Sequence, residues 1–397
     1  MLRRIRHQWL RFVRTLHLPR GIHRQQMVVA MLSLALPLAL VPLARSSASG
    51  SAGNLLWESL ASYPGGTIVQ QVFVGWQGQS PALYAVGASG GLAFSLDAGT
   101  SWTLANTGLP QDRFGNTSLV ALAVDPVNPG VMFAAADSPT TTPRPMLYWT
   151  VDGGLHWQPR ANLGRERVRA LVFGATSADL YLVTANDVRR ARAADGEGTA
   201  APTLQERYAR DRDDLQYETI AALESTTSAV CLAVVEAEQE SAMLYVGTDG
   251  SGLMILPDEQ APSQTLDTDT RFVRQQATIY AVCAQQSDAA RLYVGTDQGL
   301  YTSDDAGHTW HRTGDALREQ HVLCLYNPPA MPDMLLAGVA GGGVYFSQDA
   351  GITWEQLGSG LGHASVWDLV LDDSAESPVL YAATSVGLWR LSMQILS

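Results

Sequence analysis

At 397 residues the chain is long enough for two domains, and 46% apolar residues against 16% charged ones describe a folded body, not a disordered one. The formal net charge of −12 hides an asymmetry: residues 1–45 hold eight of the 26 basic residues and none of the 38 acids. The remainder is so acidic that nucleic acid is excluded as an expected partner.

Residues 1–26 carry seven arginines and no acid, a basic cytoplasmic head. Residues 27–44, Met27 to Ala44, are uncharged and apolar, just long enough to span a bilayer. The arginine flank keeps the N-terminus inside and sends the C-terminal part of the chain outside. This segment is expected to be a signal anchor; the alternative is a cleaved signal sequence, favoured by Pro37, Pro42 and the small residues around Ala48. No Cys succeeds the apolar run, which excludes lipoprotein anchoring. Residues 45–54 read as a small-residue linker.

From residue 55 onward the chain repeats. Leu83-Tyr84, Met132-Phe133, Leu180-Tyr181, Leu244-Tyr245, Leu292-Tyr293, Leu335-Leu336 and Leu380-Tyr381 each close an apolar run, spaced by 49, 48, 64, 48, 43 and 45 residues. A second β-rich run precedes each pair and a Gly-containing turn comes after it, so the runs read as strands. Four times the unit continues into a signature S/T-x-D-x-G-x-x-W: Ser95, Asp97, Gly99 and Trp102; Thr150, Asp152, Gly154 and Trp157; Ser303, Asp305, Gly307 and Trp310; Ser347, Asp349, Gly351 and Trp354. Here Asp accepts bonds from backbone N–H groups, Gly supplies the turn conformation, and Trp opens the next strand. Four strands per unit of this length make the blade of a β-propeller.

The expected fold is therefore all-β, a seven-bladed propeller over residues 55–397. Its last unit lacks a Trp strand. Leu56-Trp57-Glu58-Ser59-Leu60 matches Thr353-Trp354-Glu355-Gln356-Leu357. This N-terminal strand is expected to complete the last blade, which removes an exposed edge. The stretch 193–217 is polar and charge-rich and is read as an irregular insertion, which accounts for the 64-residue spacing.

The four signatures resemble the Asp-box, or bacterial neuraminidase repeat. That repeat is found in sialidases, sortilin-type receptors, xyloglucan hydrolases and the photosystem II assembly propeller. The resemblance implies the propeller fold and places the signature aspartates away from any binding face, as structural staples. It says little of activity, because this fold hosts many. A sialidase site would need arginines near the propeller's start, and Gly65 to Val74 contains none. A xyloglucan hydrolase site needs two carboxylates across a cleft; Asp125, in Asp125-Pro-Val-Asn-Pro129, and Asp368 are the candidates. Asp125 also suits a plain turn.

No metal-ligand spacing, phosphate loop or cofactor motif is found. Cys231, Cys283 and Cys324 sit in apolar runs and read as buried core thiols. The strongest departure from background is arginine: Arg165, Arg167, Arg169, Arg189, Arg190, Arg192, Arg207, Arg210 and Arg212 are half of those beyond residue 45. They suggest a docking patch for an acidic partner or lipid headgroups, against the bland reading of a salt-bridged surface. The sequence thus points to a non-catalytic, membrane-anchored extracytoplasmic scaffold that binds protein. The alternative is a glycoside hydrolase or glycan-binding lectin using the central channel.

Overall fold

The structure is a computed structural model. It describes residues 55–393 except 61–62, 65, 79, 137–145, 163–167, 175–178, 194–214, 224–228, 236–241, 258–276, 286–287, 330 and 375–376. The basic head, the apolar segment and the linker, residues 1–54, lie outside the described residues.

Short apolar runs broken by Gly, Asp and Pro become strands throughout. β1 (Glu58–Leu60) precedes the first repeat. Blade 1 comprises β2 (Val69–Gln77), β3 (Ser80–Gly87), β4 (Gly91–Ser95) and β5 (Thr103–Leu104). Blade 2 is built from β6 (Leu119–Val124), β7 (Met132–Ala136), β8 (Met146–Thr150) and β9 (Gln158–Asn162). Blade 3 holds β10 (Val168–Phe173), β11 (Asp179–Thr184), β12 (Asp187–Ala193) and β13 (Leu215–Ala222). β14 (Ala229–Val235), β15 (Met243–Thr248) and β16 (Leu253–Pro257) are the three strands of blade 4 among the described residues. β17 (Ile279–Gln285), β18 (Asp288–Thr296), β19 (Gly299–Ser303) and β20 (His311–Thr313) form blade 5. Blade 6 is β21 (Val322–Tyr326), β22 (Leu335–Val339), β23 (Gly343–Ser347) and β24 (Glu355–Gln356). Finally β25 (Val366–Asp372), β26 (Val379–Thr384) and β27 (Gly387–Ser392) belong to blade 7.

Each blade is an antiparallel meander, and the seven sheets stand around one axis. The order β1-β27-β26-β25 shows the N-terminal strand completing the last blade, as the sequence match predicted. Leu60 pairs with Leu388 and Glu58 with Arg390, whose guanidinium lies 3.0 Å from the Glu58 carboxylate. Trp57 Nε1 donates to the Leu357 carbonyl at 2.8 Å and so ties this strand to blade 6.

Neighbouring blades cover both faces of the middle strands, so these strands have no solvent side. β4, β7, β19 and β22 are buried at every residue. All seven Leu-Tyr-type pairs are in the core. Each large side chain buried in this way stabilises by about 1.5–3 kcal/mol. Two tyrosines also bond across blades: Tyr245 donates to the Ala306 carbonyl at 3.3 Å and Tyr293 to the Ala350 carbonyl at 3.0 Å.

The insertion read over 193–217 is shorter at both ends. Ala193 and Leu215 are paired strand residues, so β12 and β13 form a hairpin whose connection is 194–214. Among the described residues no helix is long and apolar enough to cross a membrane.

Candidate functional site at the channel mouth

The signature turns lie at one end of the blades and are closed on themselves. Asp97 Oδ1 accepts from Ser95 Oγ and Ser101 N, both at 2.7 Å, and its Oδ2 accepts from Ser101 Oγ at 2.6 Å. Ser95 Oγ in turn accepts from Gly99 N at 2.8 Å. Asp305 and Asp349 repeat this set with Thr309 and Thr353, and Asp152 does so with Thr150 and His156. Bonds from Ser101 and Ser95 hold the Asp97 carboxyl down to about 2, and those from Thr309 and Ser303 hold Asp305 equally low. Inside three of these turns Ala98, Ala306 and Ala350 take positive φ of 54°, 56° and 56°, where blade 2 has Gly153. Side-chain bonds on both sides hold the alanines in a region L-residues avoid. Trp102, Trp310 and Trp354 donate to the carbonyls of Gly99, Gly307 and Gly351 in their own turns, whereas Trp157 reaches Ala105 of the preceding blade. These groups are fully used in holding the blade together.

The innermost strands β2, β6, β10, β14, β17, β21 and β25 all begin at the opposite end. Each starts with a buried apolar residue: Val69, Leu119, Val168, Ala229, Ile279, Val322 or Val366. The next residue is squeezed out of the ladder, because the register shifts between first and third residue in all seven. A β-bulge re-aims its extra residue away from the sheet, here toward the axis. The result is a ring made by Gln70, Val120, Arg169, Val230, Tyr280, Leu323 and Trp367. Four of these, Gln70, Val120, Arg169 and Val230, line a cavity of about 350 Å³. Arg169 is exposed and makes no ion pair or hydrogen bond among the described residues.

The third residue of these strands points instead at the neighbouring blade. Cys231 and Cys324 occupy it in blades 4 and 6 and direct Sγ to the carbonyls of Ile279 and Val366, 3.8 Å away in each case. Burial pushes the Cys231 thiol up to about 12 and the Cys324 thiol well above its ordinary value. In blade 7 this position is Asp368. Its Oδ2 accepts from Val72 N of blade 1 at 3.0 Å, across the seam where the ring closes, and its Oδ1 accepts from Leu369 N at 2.9 Å. Burial raises the Asp368 carboxyl to about 7, against these two N–H groups, which lower it.

Asp125 comes directly after the last residue of β6 and therefore lies at the end away from the bulges. It is fully buried and its Oδ1 accepts from Val127 N at 2.8 Å and Asn128 N at 2.9 Å. The two candidate carboxylates thus sit at opposite ends of the innermost strands and do not face each other.

The nine arginines divide. Arg189 pairs with Asp187 at 2.7 Å, and buried Arg190 pairs with Glu218 at 2.7 Å across the β12–β13 hairpin. Arg192 lies on β12 opposite Gln216. Arg165, Arg167, Arg207, Arg210 and Arg212 lie outside the described residues. Arg169 alone of the described ones is at the channel mouth. Sequence reasoning missed the rest of the ring, although aligning the seven first-strand apolar residues would have exposed it as the variable position after each.

This is the architecture of a seven-bladed β-propeller, and solved structures agree. The chain is similar to YCF48 bound to D1 peptide, at 14% identity over 85% of this chain and 97% of that one, with a TM-score of 0.57. It is also similar to YCF48 from Cyanidioschyzon merolae, at 12% identity over 86% and 100% of the two chains, with a TM-score of 0.57. The extracellular domain of BT4673 from B. thetaiotaomicron matches at 12% identity and a TM-score of 0.54, over 84% of this chain and 39% of that one. At these identities the likeness is one of fold. No protein-family model matches the chain, and no curated protein matches it in sequence.

Proposed function

We propose that the protein is a non-catalytic binding scaffold that docks a protein partner on the channel mouth, held on the extracytoplasmic side of a bacterial membrane by residues 27–44. The observation that carries this reading is the bulge ring. Seven backbone irregularities aim seven side chains of six kinds at one opening, and its cation, Arg169, has no partner among the described residues. Each carboxylate that could have suggested catalysis accepts bonds from the backbone of its own turn or seam. One similar fold is that of YCF48, which has been solved with a D1 peptide bound. Of the arginine docking patch expected from the sequence, Arg189 and Arg190 are taken up by ion pairs, and Arg169, Arg192 and the arginines outside the described residues remain for docking.

The test is crosslinking of the tagged full chain in its own host, then identification of the proteins that co-purify. Wild type runs beside Arg169→Gln and beside a triple Arg207→Gln, Arg210→Gln, Arg212→Gln variant. A partner lost with Arg169→Gln and kept by the triple variant supports docking at the ring. No enrichment in wild type overturns the scaffold reading.

A second reading, a glycoside hydrolase or lectin, draws on exposed Trp367 beside an acid raised to about 7. A hydrolase would need a second carboxylate about 5–10 Å from Asp368. Glycan binding lost in Trp367→Ala would favour the lectin form.

A further inference from the structure

The channel mouth carries charge of both signs, set apart around the ring. Arg169, exposed on blade 3, stands between Val120 of blade 2 and Val230 of blade 4, which are 41% and 36% exposed. On the far side of Val230 two carboxylates converge from different blades. Asp249, in the turn after β15, accepts from Thr278 Oγ1 at 2.7 Å, and Asp297, in the turn after β18, accepts from Thr278 N at 3.2 Å. Thr278 comes two residues ahead of Tyr280, the ring residue of blade 5, so both acids lie on its rim. Burial is the larger cause that pushes the Tyr280 hydroxyl up, and the charges of Asp297 and Asp249 add to it. Neither acid makes an ion pair among the described residues.

The rest of the described rim does not cancel this division. Between blades 1 and 2, Asp112 is spent within its own turn, accepting from Phe114 N and Asn116 N at 2.8 Å and from Asn116 Nδ2 at 3.0 Å. That turn presents Phe114, 72% exposed, with the Arg113 guanidinium 4.6 Å over its ring. In blade 3 Asp187 is taken up by Arg189. Between blades 5 and 6 the exposed acids Asp315 and Glu319 alternate with Arg312 and Arg318, which leaves that stretch balanced. Blade 7 offers Trp367, while Asp368 is turned away into the seam. Among the described residues, the charge left open at the ring is therefore positive at blade 3 and negative at the junction of blades 4 and 5, with a valine between.

We propose that the element docked at the channel mouth is a protein segment carrying an acid and a base with an apolar side chain between them. Its acid meets Arg169, its apolar group lies over Val230, and its base meets Asp249 and Asp297. The inference rests on the docking reading of the mouth and adds which segment fits and which way round it lies. The reverse orientation would set carboxylate against carboxylate and base against guanidinium, and that repulsion selects against it. Charges arranged across an interface contribute to orientation and encounter rate more than to affinity. Salt screens exposed charges, so binding should weaken as salt rises.

The experiment pans a random peptide library, displayed on phage, against the purified full chain in detergent. Wild type runs beside Arg169→Glu and beside a double variant, Asp249→Asn with Asp297→Asn, which keeps both acceptors for Thr278 and removes both charges. Thermal melting checks that the variants fold. Wild type is expected to enrich peptides with an acid and a base on either side of an apolar residue. Arg169→Glu should enrich a base where wild type enriches the acid, and the double variant should lose the preference for the base. A wild-type peptide, synthesised alone, should bind Arg169→Glu about tenfold or more weakly. The same consensus from wild type and Arg169→Glu overturns the proposal. So does the absence of any enriched peptide when crosslinking still recovers a protein partner, and in that case the docking reading stands. If neither a peptide nor a partner is recovered, the docking reading falls and takes this proposal with it.

Discussion

Blades 1, 2, 5 and 6 close their outer hairpins with eight-residue turns whose polar groups satisfy one another. Blade 3 joins the same two strands through residues 194–214 and fastens them with Arg190 and Glu218, a pair 28 residues apart in sequence. The first device is local: Ser, Asp and Gly at fixed offsets bond within one turn, whatever the rest of the chain does. The second exists only once β12 and β13 have paired. The contrast teaches that one architectural task, closing the third strand onto the fourth, can be done by turn chemistry or by an ion pair within a sheet. The two should fail differently.

The largest effect should come where a signature residue also serves the core. Trp354 is 7% exposed, donates to its own turn and packs against Gly314 of blade 5. Trp354→Ala should cost about 3–5 kcal/mol, as other large aromatic truncations do, read as a lowered urea midpoint. Arg190→Ala should come next, toward the lower end of the ~3–5 kcal/mol seen when one partner of a buried ion pair is removed. Glu218 is partly exposed and regains some hydration. Arg190→Met with Glu218→Leu should restore much of the loss, which a signature turn could not do.

Ser347→Ala sharpens the comparison from the other side. Ser347 Oγ accepts from Asp349 N and Gly351 N and donates to the Asp349 carboxylate. Losing it strands buried donors at about 1–3 kcal/mol, and hydrogen exchange should accelerate in blade 6 while blade 3 is unchanged. Equal acceleration everywhere would show that the turns are not local units.

Proton linkage separates the turns from the seam by sign. Asp97 and Asp305, held near 2, contribute stability that is complete above about pH 4 and is lost as pH falls through 2. Asp368, raised to about 7, contributes in the opposite sense: the fold prefers its neutral form, so that contribution is complete below 3.8 and is lost as pH rises through 7. Asp368→Asn should flatten the decline in urea midpoint between pH 4 and 7 and leave the acid limb in place. An unchanged slope across that window would refute the seam assignment. The smallest stability effect belongs to Arg169→Gln, expected to be within about 0.5 kcal/mol as for surface changes generally, with its consequence confined to partner binding.

The amino-acid sequence by itself determined the blade count, the closure and the staples. Repeated Leu-Tyr pairs report a strand buried on both faces. The Leu56–Leu60 match to Thr353–Leu357 reports a missing fourth strand. Ser, Asp, Gly and Trp at set offsets bond to groups at most four residues away, except where Trp157 and Trp57 reach across blades. The buried character of Cys324 was equally legible, since apolar strands surround it, whereas Cys231 and Cys283 are only half-buried. Other features were decided only by the tertiary structure. Gln70, Val120, Arg169, Val230, Tyr280, Leu323 and Trp367 share no chemistry that a local pattern could register. A bulge at the same place in seven strands that meet around one axis is all that unites them. Asp368 reads like any strand acid until blade 7 is set against blade 1 and its carboxyl meets Val72 N. The arginines looked like one patch because they are near in sequence, yet β-pairing directs neighbours to opposite faces and hands Arg189 and Arg190 to separate partners. Short-range hydrogen bonding and periodic burial are written along the chain; which side chains converge depends on how distant strands close into a ring.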